Sequence, residues 1–103
     1  MNRLAGKRVL ITGASAGIGE SCSRYFARQG SNLLLSARRL DRIDTLASSL
    51  TEDYGVDVHT AKLDVTDRDA VGAYVDTLLE EGLIPYVLVN NAGKSKGLDT
   101  LQD

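Results

Sequence analysis

The stretch that most constrains the fold runs from Val9 to Gly19 and has the sequence VLITGASAGIG. An apolar run ends at Thr12, three glycines follow, and apolar residues then recur every four positions, which is helical spacing. This pattern predicts a buried strand, a glycine-rich turn and the start of a helix. Backbone N–H groups at such a turn and the positive end of the helix dipole form a site for phosphate. We therefore predict a nucleotide site at this turn.

Composition narrows the class of protein. The chain has 103 residues, 43% hydrophobic and 25% charged, which indicates one ordinary globular domain. Because the net charge is -2, we predict no nucleic-acid partner. No apolar run approaches the roughly 18 residues of a membrane helix, and the first strand begins too early for a signal peptide. A single cysteine, Cys22, predicts neither a disulfide nor a metal site. We expect a cytoplasmic protein without membrane contact.

Apolar runs and helical faces alternate along the chain. The predicted strands are Lys7–Thr12, Asn32–Ala37, Val56–Leu63 and Tyr86–Asn90. A helix follows each of the first three strands, and the three helices end near Gly30, Gly55 and Gly82. The third helix carries a capping signal, Thr66 followed by Asp69.

This alternation predicts an α/β fold with a doubly wound parallel sheet of the Rossmann type, in the strand order 3-2-1-4. The third strand alternates polar and apolar residues, which is typical of a sheet edge. The fourth strand would be the other edge, yet Val87–Val89 is wholly apolar. Since proteins rarely leave such an edge bare, we expect a fifth strand and interpret residues 1–103 as the N-terminal portion of a larger domain.

The glycine spacing bears on three interpretations of this turn, of which two are nucleotide sites. An ATPase loop needs Gly-x-x-x-x-Gly-Lys-Ser/Thr, whereas Glu20 follows Gly19 here, so that site is excluded. The dinucleotide fingerprint Gly-x-Gly-x-x-Gly has a shorter first loop than Gly13-x-x-x-Gly17-x-Gly19. A tight turn without a ligand is the remaining alternative.

The end of the second strand indicates which dinucleotide would bind. A carboxylate about 20 residues after the fingerprint bonds the ribose 2′-hydroxyl of NAD, whereas an arginine accepts the 2′-phosphate of NADP. Here the strand ends in Arg38 and Arg39, with no carboxylate before Asp41. Arg38 therefore favours NADP over NAD. For Arg39, solvation of the next helix start is an equally good explanation.

Three motifs together resemble the short-chain dehydrogenase/reductase family: TGASAGIG at Thr12–Gly19, LDVTD at Leu63–Asp67 and NNAG at Asn90–Gly93. Each follows a predicted strand in the family's order and spacing, and the resemblance covers almost the whole chain. It implies an NADP-dependent oxidoreductase that transfers a hydride between nicotinamide and a hydroxyl or carbonyl substrate. The residues after the third motif are similar to those of enzymes acting on 3-hydroxy acids or 3-oxoacyl compounds.

The resemblance also implies which residues contact the cofactor. The pyrophosphate and adenosine ribose would lie against Gly13, Ser15, Ala16, Gly17, Ile18 and Gly19. The 2′-phosphate would be held by Ser15 and Arg38, with Arg39 as a further candidate. The adenine would meet Asp64 and Val65. The ribose next to nicotinamide would be bordered by Asn91, Ala92 and Gly93, while Asn90 braces the sheet.

The family's catalytic serine and Tyr-x-x-x-Lys pair would follow the NNAG strand. The four tyrosines of this chain have no lysine four positions on; they are Tyr25, Tyr54, Tyr74 and Tyr86. We therefore predict no catalytic residue within the chain. The alternative to an oxidoreductase is a catalytically inactive NADP-binding module or fragment. The helices through which the family usually forms oligomers would also follow Asp103.

Other residues that could be taken for site residues have simpler explanations. His59 is predicted to lie on the surface of the edge strand, Cys22 in the core and Ser95 in a solvated loop. The Asp67 and Asp69 pair is explained by the start of the third helix.

Overall fold

The computed structural model describes residues 4–14 and 17–91. Strands and helices alternate in the order β1 (Arg8–Thr12), α1 (Gly17–Arg28), β2 (Asn32–Ala37), α2 (Leu40–Tyr54), β3 (Val58–Lys62), α3 (Arg68–Glu80) and β4 (Val87–Asn90). The strands form one parallel sheet in the order β3-β2-β1-β4, which confirms the predicted topology. Strand β3 begins two residues later than predicted. None of the helices in these ranges is long and apolar enough to cross a membrane.

The strand register brings the carboxyl ends of β2, β1 and β4 level with one another. Thr12, at the end of β1, lies beside Ser36 of β2 on one side and Asn90 of β4 on the other. Strand β3 lies at one edge of the sheet, as its alternating sequence predicts. The carboxyl ends of the strands therefore lie along one edge of the sheet, where ligands of open α/β sheets bind.

Helices α1 and α2 pack on one face of the sheet. The core there is made of side chains from both helices and from alternate strand positions: Val9, Ile11, Ala27, Leu33, Leu35, Ala37, Ile43, Leu46 and Leu50. The buried stripe of α1 consists of the small residues Gly19, Ser23 and Ala27, which allow the helix to approach the sheet closely. The apolar residues seen in the sequence lie to the side: Cys22 is half-buried against the core, whereas Ile18 is 70% exposed.

The predicted cap of α3 is wrong by one residue. Asp67 is the N-cap, because its carboxylate accepts a hydrogen bond from the Ala70 N–H at 3.1 Å. The Thr66 hydroxyl instead donates a hydrogen bond to the carboxylate of Asp64. Asp69 lies in the first helical turn, where its negative charge interacts favourably with the positive end of the helix dipole.

The second face of the sheet is covered less completely by the described residues. A right-handed crossover from β3 to β4 places α3 on this face, where Leu78 is buried. The apolar residues Val75 and Leu79 of α3 remain exposed, and Leu88 of β4 is 60% exposed. Within the described ranges β4 is an edge strand, so the expected fifth strand stays a prediction.

Candidate functional site

The turn between β1 and α1 is compact because two glycines permit it. Gly13 has φ +67°, a left-handed conformation that favours glycine. The N–H of the next residue, Ala14, donates to the Ser36 carbonyl at 3.1 Å, which ties the turn to β2. A Cβ at Gly19 would overlap the Gly13 carbonyl oxygen and lie 2.8 Å from the Ala14 Cα. The first turn of α1 can therefore pack closely against the glycine turn. Ser15 and Ala16, also predicted at this turn, lie outside the described residues.

The end of β4 is joined to the same turn through Thr12. Its hydroxyl donates to Asn90 Oδ1 at 2.8 Å and accepts from the Asn91 N–H at 3.1 Å. The amide nitrogen of the Asn91 side chain lies 3.0 Å from where a Cβ of Gly19 would stand. These contacts place Asn91 beside the glycine turn. The predicted positions Ala92 and Gly93 lie outside the described residues.

Two arginines follow β2, and they differ in their surroundings. Arg39 is the N-cap residue of α2, and its guanidinium pairs with the carboxylate of Asp41 through two contacts of 3.4 Å. This pair is exposed, so water and salt weaken it. Arg38 is also exposed, and its positive charge acts on the carboxylate of Asp64 after β3. The ends of the neighbouring strands β2 and β3 are thus followed by opposite charges.

The carboxylate of Asp64 is held by one neighbour. Thr66 donates its hydroxyl and its N–H to Asp64 Oδ1, at 2.6 and 3.0 Å. These two hydrogen bonds, and secondarily the charge of Arg38, hold the pKa of Asp64 below its ordinary value of 3.8. Val65, the other predicted adenine contact, follows Asp64 in the sequence and is half-buried.

A hollow of about 310 Å³ lies between the turn and the first turns of α1 and α2. Its lining residues are Ala14, Glu20, Asp41, Arg42, Thr45 and Leu46. Both carboxylates in the wall have an arginine partner, since Asp41 pairs with Arg39 and Glu20 with Arg24 at 3.4 Å. The sequence did not indicate this hollow, because it depends on how α1 and α2 pack together.

A larger groove of about 520 Å³ runs along the outer side of α1. It is lined by Gly17, Ile18, Ser21, Cys22, Tyr25 and Phe26, with the two aromatic rings in edge-to-face contact. The predicted cofactor residues Gly17 and Ile18 form its end nearest the turn, and both are exposed.

Tyr74 and Tyr86 differ in their surroundings. Tyr74 is half-buried in α3, and burial raises the pKa of its phenol. Lys7 Nζ lies 4.9 Å from the centre of the Tyr86 ring, but this pair is at the amino ends of β1 and β4. It is therefore at the edge of the sheet opposite the glycine turn. His59, predicted at the surface, is exposed and lies 3.1 Å from a carboxylate oxygen of Asp57.

Known proteins resemble this chain in sequence. The short chain dehydrogenase family model matches residues 7–102. A curated relative, the NADP-dependent 3-hydroxy acid dehydrogenase of Schizosaccharomyces pombe, is 40% identical over 100% of this chain. The chain spans 40% of that relative's length.

Solved structures share the fold. The L-sorbose reductase of Gluconobacter frateurii, complexed with NADPH and L-sorbose, is 38% identical with a TM-score of 0.83 over 91% of this chain and 36% of its own. A xylitol dehydrogenase bound to NAD+ is 29% identical with a TM-score of 0.82, over 89% of this chain and 35% of its own. The family model, the sequence identity and the fold agree, and the chain belongs to the short chain dehydrogenase family.

Proposed function

We propose that this chain binds NADP(H) and forms the cofactor-binding part of an oxidoreductase. The observation that carries the proposal is that Gly19, Asn91, Arg38 and Asp64 follow four different elements and all lie at the carboxyl edge of the sheet. In the proposed complex the pyrophosphate lies against the glycine turn and the N-terminus of α1, whose close packing on the turn depends on Gly19.

The preference for NADP over NAD rests on the end of β2. The fold does not decide it, since similar structures contain NADPH in one case and NAD+ in another. Arg38 is exposed at the position from which a guanidinium could pair with the ribose 2′-phosphate. Arg39 is already paired with Asp41, so we propose Arg38 as the main phosphate ligand and Arg39 as the lesser one.

The reaction we propose is hydride transfer between nicotinamide C4 and a hydroxyl or carbonyl carbon of a small molecule. The cofactor supplies the hydride, and the residues of this chain bind and orient it. The related 3-hydroxy acid dehydrogenase supports a 3-hydroxy acid or a 3-oxoacyl compound as substrate class. We place the catalytic serine, tyrosine and lysine outside residues 1–103, together with the helices for oligomer formation. We also propose that the protein functions in the cytoplasm.

The second candidate is a cofactor-binding module without catalysis. It is supported by the spacing of the four tyrosines, none of which has a lysine four positions on in the sequence. Titration with NADPH tests the cofactor site that both functions share, and an assay with carbonyl substrates on a chain extended beyond residue 103 separates them. Binding with no turnover by this chain is the expected result, whereas turnover would show that the catalytic residues are within it.

The cofactor preference is tested by Arg38→Gln. We expect the ratio of NADH to NADPH dissociation constants to fall about tenfold to a hundredfold, because a charge-assisted hydrogen bond contributes roughly 1.5–3 kcal/mol. Fluorescence titration with both nucleotides measures the ratio. Arg28→Gln, the same change in the last turn of α1, is the matched control. An unchanged ratio in Arg38→Gln would exclude this arginine as the phosphate ligand.

A further inference from the structure

The open edge of β4 lacks the features that usually protect the edge of a sheet. Strand β4 is an edge strand within the described ranges, and the sequence has no charged residue from Gly82 to Asn91. The other edge strand, β3, ends in Lys62, and His59 lies 3.1 Å from the Asp57 carboxylate beside it. Charged side chains on an edge strand hinder its pairing with another chain. The β4 edge is therefore open to a further strand, whereas the β3 edge is protected by charge.

Two residues of β4 direct their backbone groups towards this open edge. The Tyr86 N–H donates to the Arg8 carbonyl of β1 at 2.7 Å. Because the backbone groups of successive strand residues point to opposite sides, those of Leu88 face β1, as those of Tyr86 do. The N–H and C=O groups of Val87 and Val89 then point away from β1, and they are the donors and acceptors that a further strand would pair with.

A second copy of β4 is complementary to this edge in an antiparallel register. With Leu88 opposite Leu88 of the second copy, Val87 lies opposite Val89, and the two valines exchange their backbone hydrogen bonds. Opposite residues of such a pair lie on the same face of the sheet. The valines would then meet on the face that α1 and α2 cover, and the leucines on the other face, where Leu88 is 60% exposed. Apolar side chains thus meet on both faces.

The two neighbouring registers satisfy the backbone less well. Pairing centred on Val87 sets Val89 opposite Pro85, which has no N–H to donate to the Val89 carbonyl. Pairing centred on Val89 sets Val87 opposite Asn91, whose N–H already donates to the Thr12 hydroxyl at 3.1 Å. Of these three registers, the first therefore gives both valines a donor and an acceptor.

We propose that residues 1–103 form a homodimer in which the β4 strands of two copies pair antiparallel about Leu88 and join the two sheets into one. The second copy then supplies the strand that the sequence predicts beside β4. This surface is separate from the helices that we place outside residues 1–103, and the inference does not depend on cofactor binding. Pairing removes apolar surface of the exposed side chains Leu88 and Tyr86 from water.

Sedimentation velocity over a dilution series tests the dimer. We expect the wild-type chain to approach twice its mass of 11.1 kDa as the concentration rises. Leu88→Lys puts two positive charges opposite each other in the proposed register, so the dissociation constant of the dimer should rise about tenfold or more. Because this side chain is exposed, the variant should keep its fold, which far-UV circular dichroism checks. A wild-type chain that stays monomeric at every concentration would overturn the proposal.

Mixing two charged variants tests the register. Leu88→Glu alone should weaken the dimer as Leu88→Lys does, whereas an equimolar mixture of the two should form a heterodimer, because opposite charges then face each other. Leu79→Lys is the matched control, since this side chain of α3 is 56% exposed, and the variant should dimerise like the wild type. The pairing about Leu88 is wrong if the mixture stays monomeric or if Leu79→Lys weakens the dimer equally.

Hydrogen exchange of the wild-type chain tests the pairing without any substitution. The amide protons of Val87 and Val89 should exchange slowly in concentrated solution and faster on dilution. Thr60 is the control: the Leu63 N–H donates to the Ala37 carbonyl of β2, so by alternation the Thr60 N–H points away from β2. Its exchange should be fast at every concentration. Exchange of the two valines that is independent of concentration would contradict the dimer.

Discussion

At Gly19 helix α1 and the preceding turn come closer together than a side chain would permit. Gly19→Ala places a methyl group against the Gly13 carbonyl and the Ala14 Cα, and both are backbone atoms that cannot rotate away. We expect a loss of about 1–3 kcal/mol in the free energy of unfolding, the usual cost of overpacking, and weaker NADPH binding. Urea unfolding and nucleotide titration measure the two effects.

Gly72→Ala is the control for that prediction. Gly72 lies in α3, and a Cβ there would meet nothing within 4 Å. Because alanine is a better helix former than glycine, this variant should gain about 0.5–1 kcal/mol of stability. A Gly19→Ala chain as stable as Gly72→Ala would show that the turn is looser than the structure indicates.

The ion pair between Arg39 and Asp41 predicts a pH dependence. A hydrogen bond to Arg39 holds the pKa of Asp41 below its ordinary value of 3.8 in the folded chain. A carboxyl group with a lowered folded pKa stabilises the protein above its unfolded pKa, and this stabilisation is lost as the pH falls through the folded pKa. The stability difference between the wild type and Asp41→Asn should therefore be full near neutral pH and disappear in acid below 3.8.

Urea midpoints measured over a pH series test this expectation. Since the pair is exposed, the difference should be small and should shrink in about 1 M salt. A difference that persists in acid would mean that Asp41 acts through something other than its charge.

Among the elements, α3 depends most on its N-cap, because Leu78 is its only residue classed as buried in the described structure. Asp67→Ala removes the acceptor of the Ala70 N–H, and we expect a loss of about 1 kcal/mol. Thermal unfolding followed by circular dichroism measures it.

Asp76→Ala makes the same substitution in the middle of α3, at an exposed position. Its effect should be near zero or slightly stabilising, since alanine is the better helix former. If both variants lost the same stability, the cap would contribute nothing beyond helix propensity.

For the whole molecule, the two faces of the sheet should contribute unequally to stability. Leu35→Ala truncates a fully buried side chain in the core between the sheet and helices α1 and α2. We expect the free energy of unfolding to fall by about 2–5 kcal/mol. Leu88→Ala truncates a side chain that is 60% exposed on β4, and the loss should be about 1 kcal/mol or less. Urea unfolding compares them. A large loss for Leu88→Ala would show that its side chain is covered in solution.

NADPH itself should stabilise the molecule. A ligand at about a hundred times its dissociation constant raises the free energy of unfolding by about 2.7 kcal/mol, provided that it binds only the folded chain. We expect the melting temperature to rise with NADPH concentration, and to rise less with NADH at equal concentration. Equal shifts with both nucleotides would contradict the preference assigned to Arg38.

The element order, the parallel sheet, its topology and the edge that carries the glycine turn could all be predicted from the sequence. This was possible because apolar periodicity and glycine positions are local signals, and right-handed crossovers leave few topologies for alternating strands and helices. The three motifs were also sufficient to indicate the family. The roles of individual cofactor residues are still predictions, and Ser15, Ala16, Ala92 and Gly93 lie outside the described structure.

The contacts between side chains could be seen only in the folded chain. The apolar residues of α1 recur at helical spacing, but the sheet buries the small residues Gly19, Ser23 and Ala27 and leaves Ile18 exposed, because close packing needs small side chains. Thr66 has the spacing of a helix cap, yet its hydroxyl donates to the carboxylate of Asp64. The cap is Asp67, one residue later, whose charged carboxylate accepts from the Ala70 N–H. Such choices depend on distances between residues far apart in the chain or on competition between neighbouring acceptors. The spacing of residues along the sequence does not predict these distances or this competition.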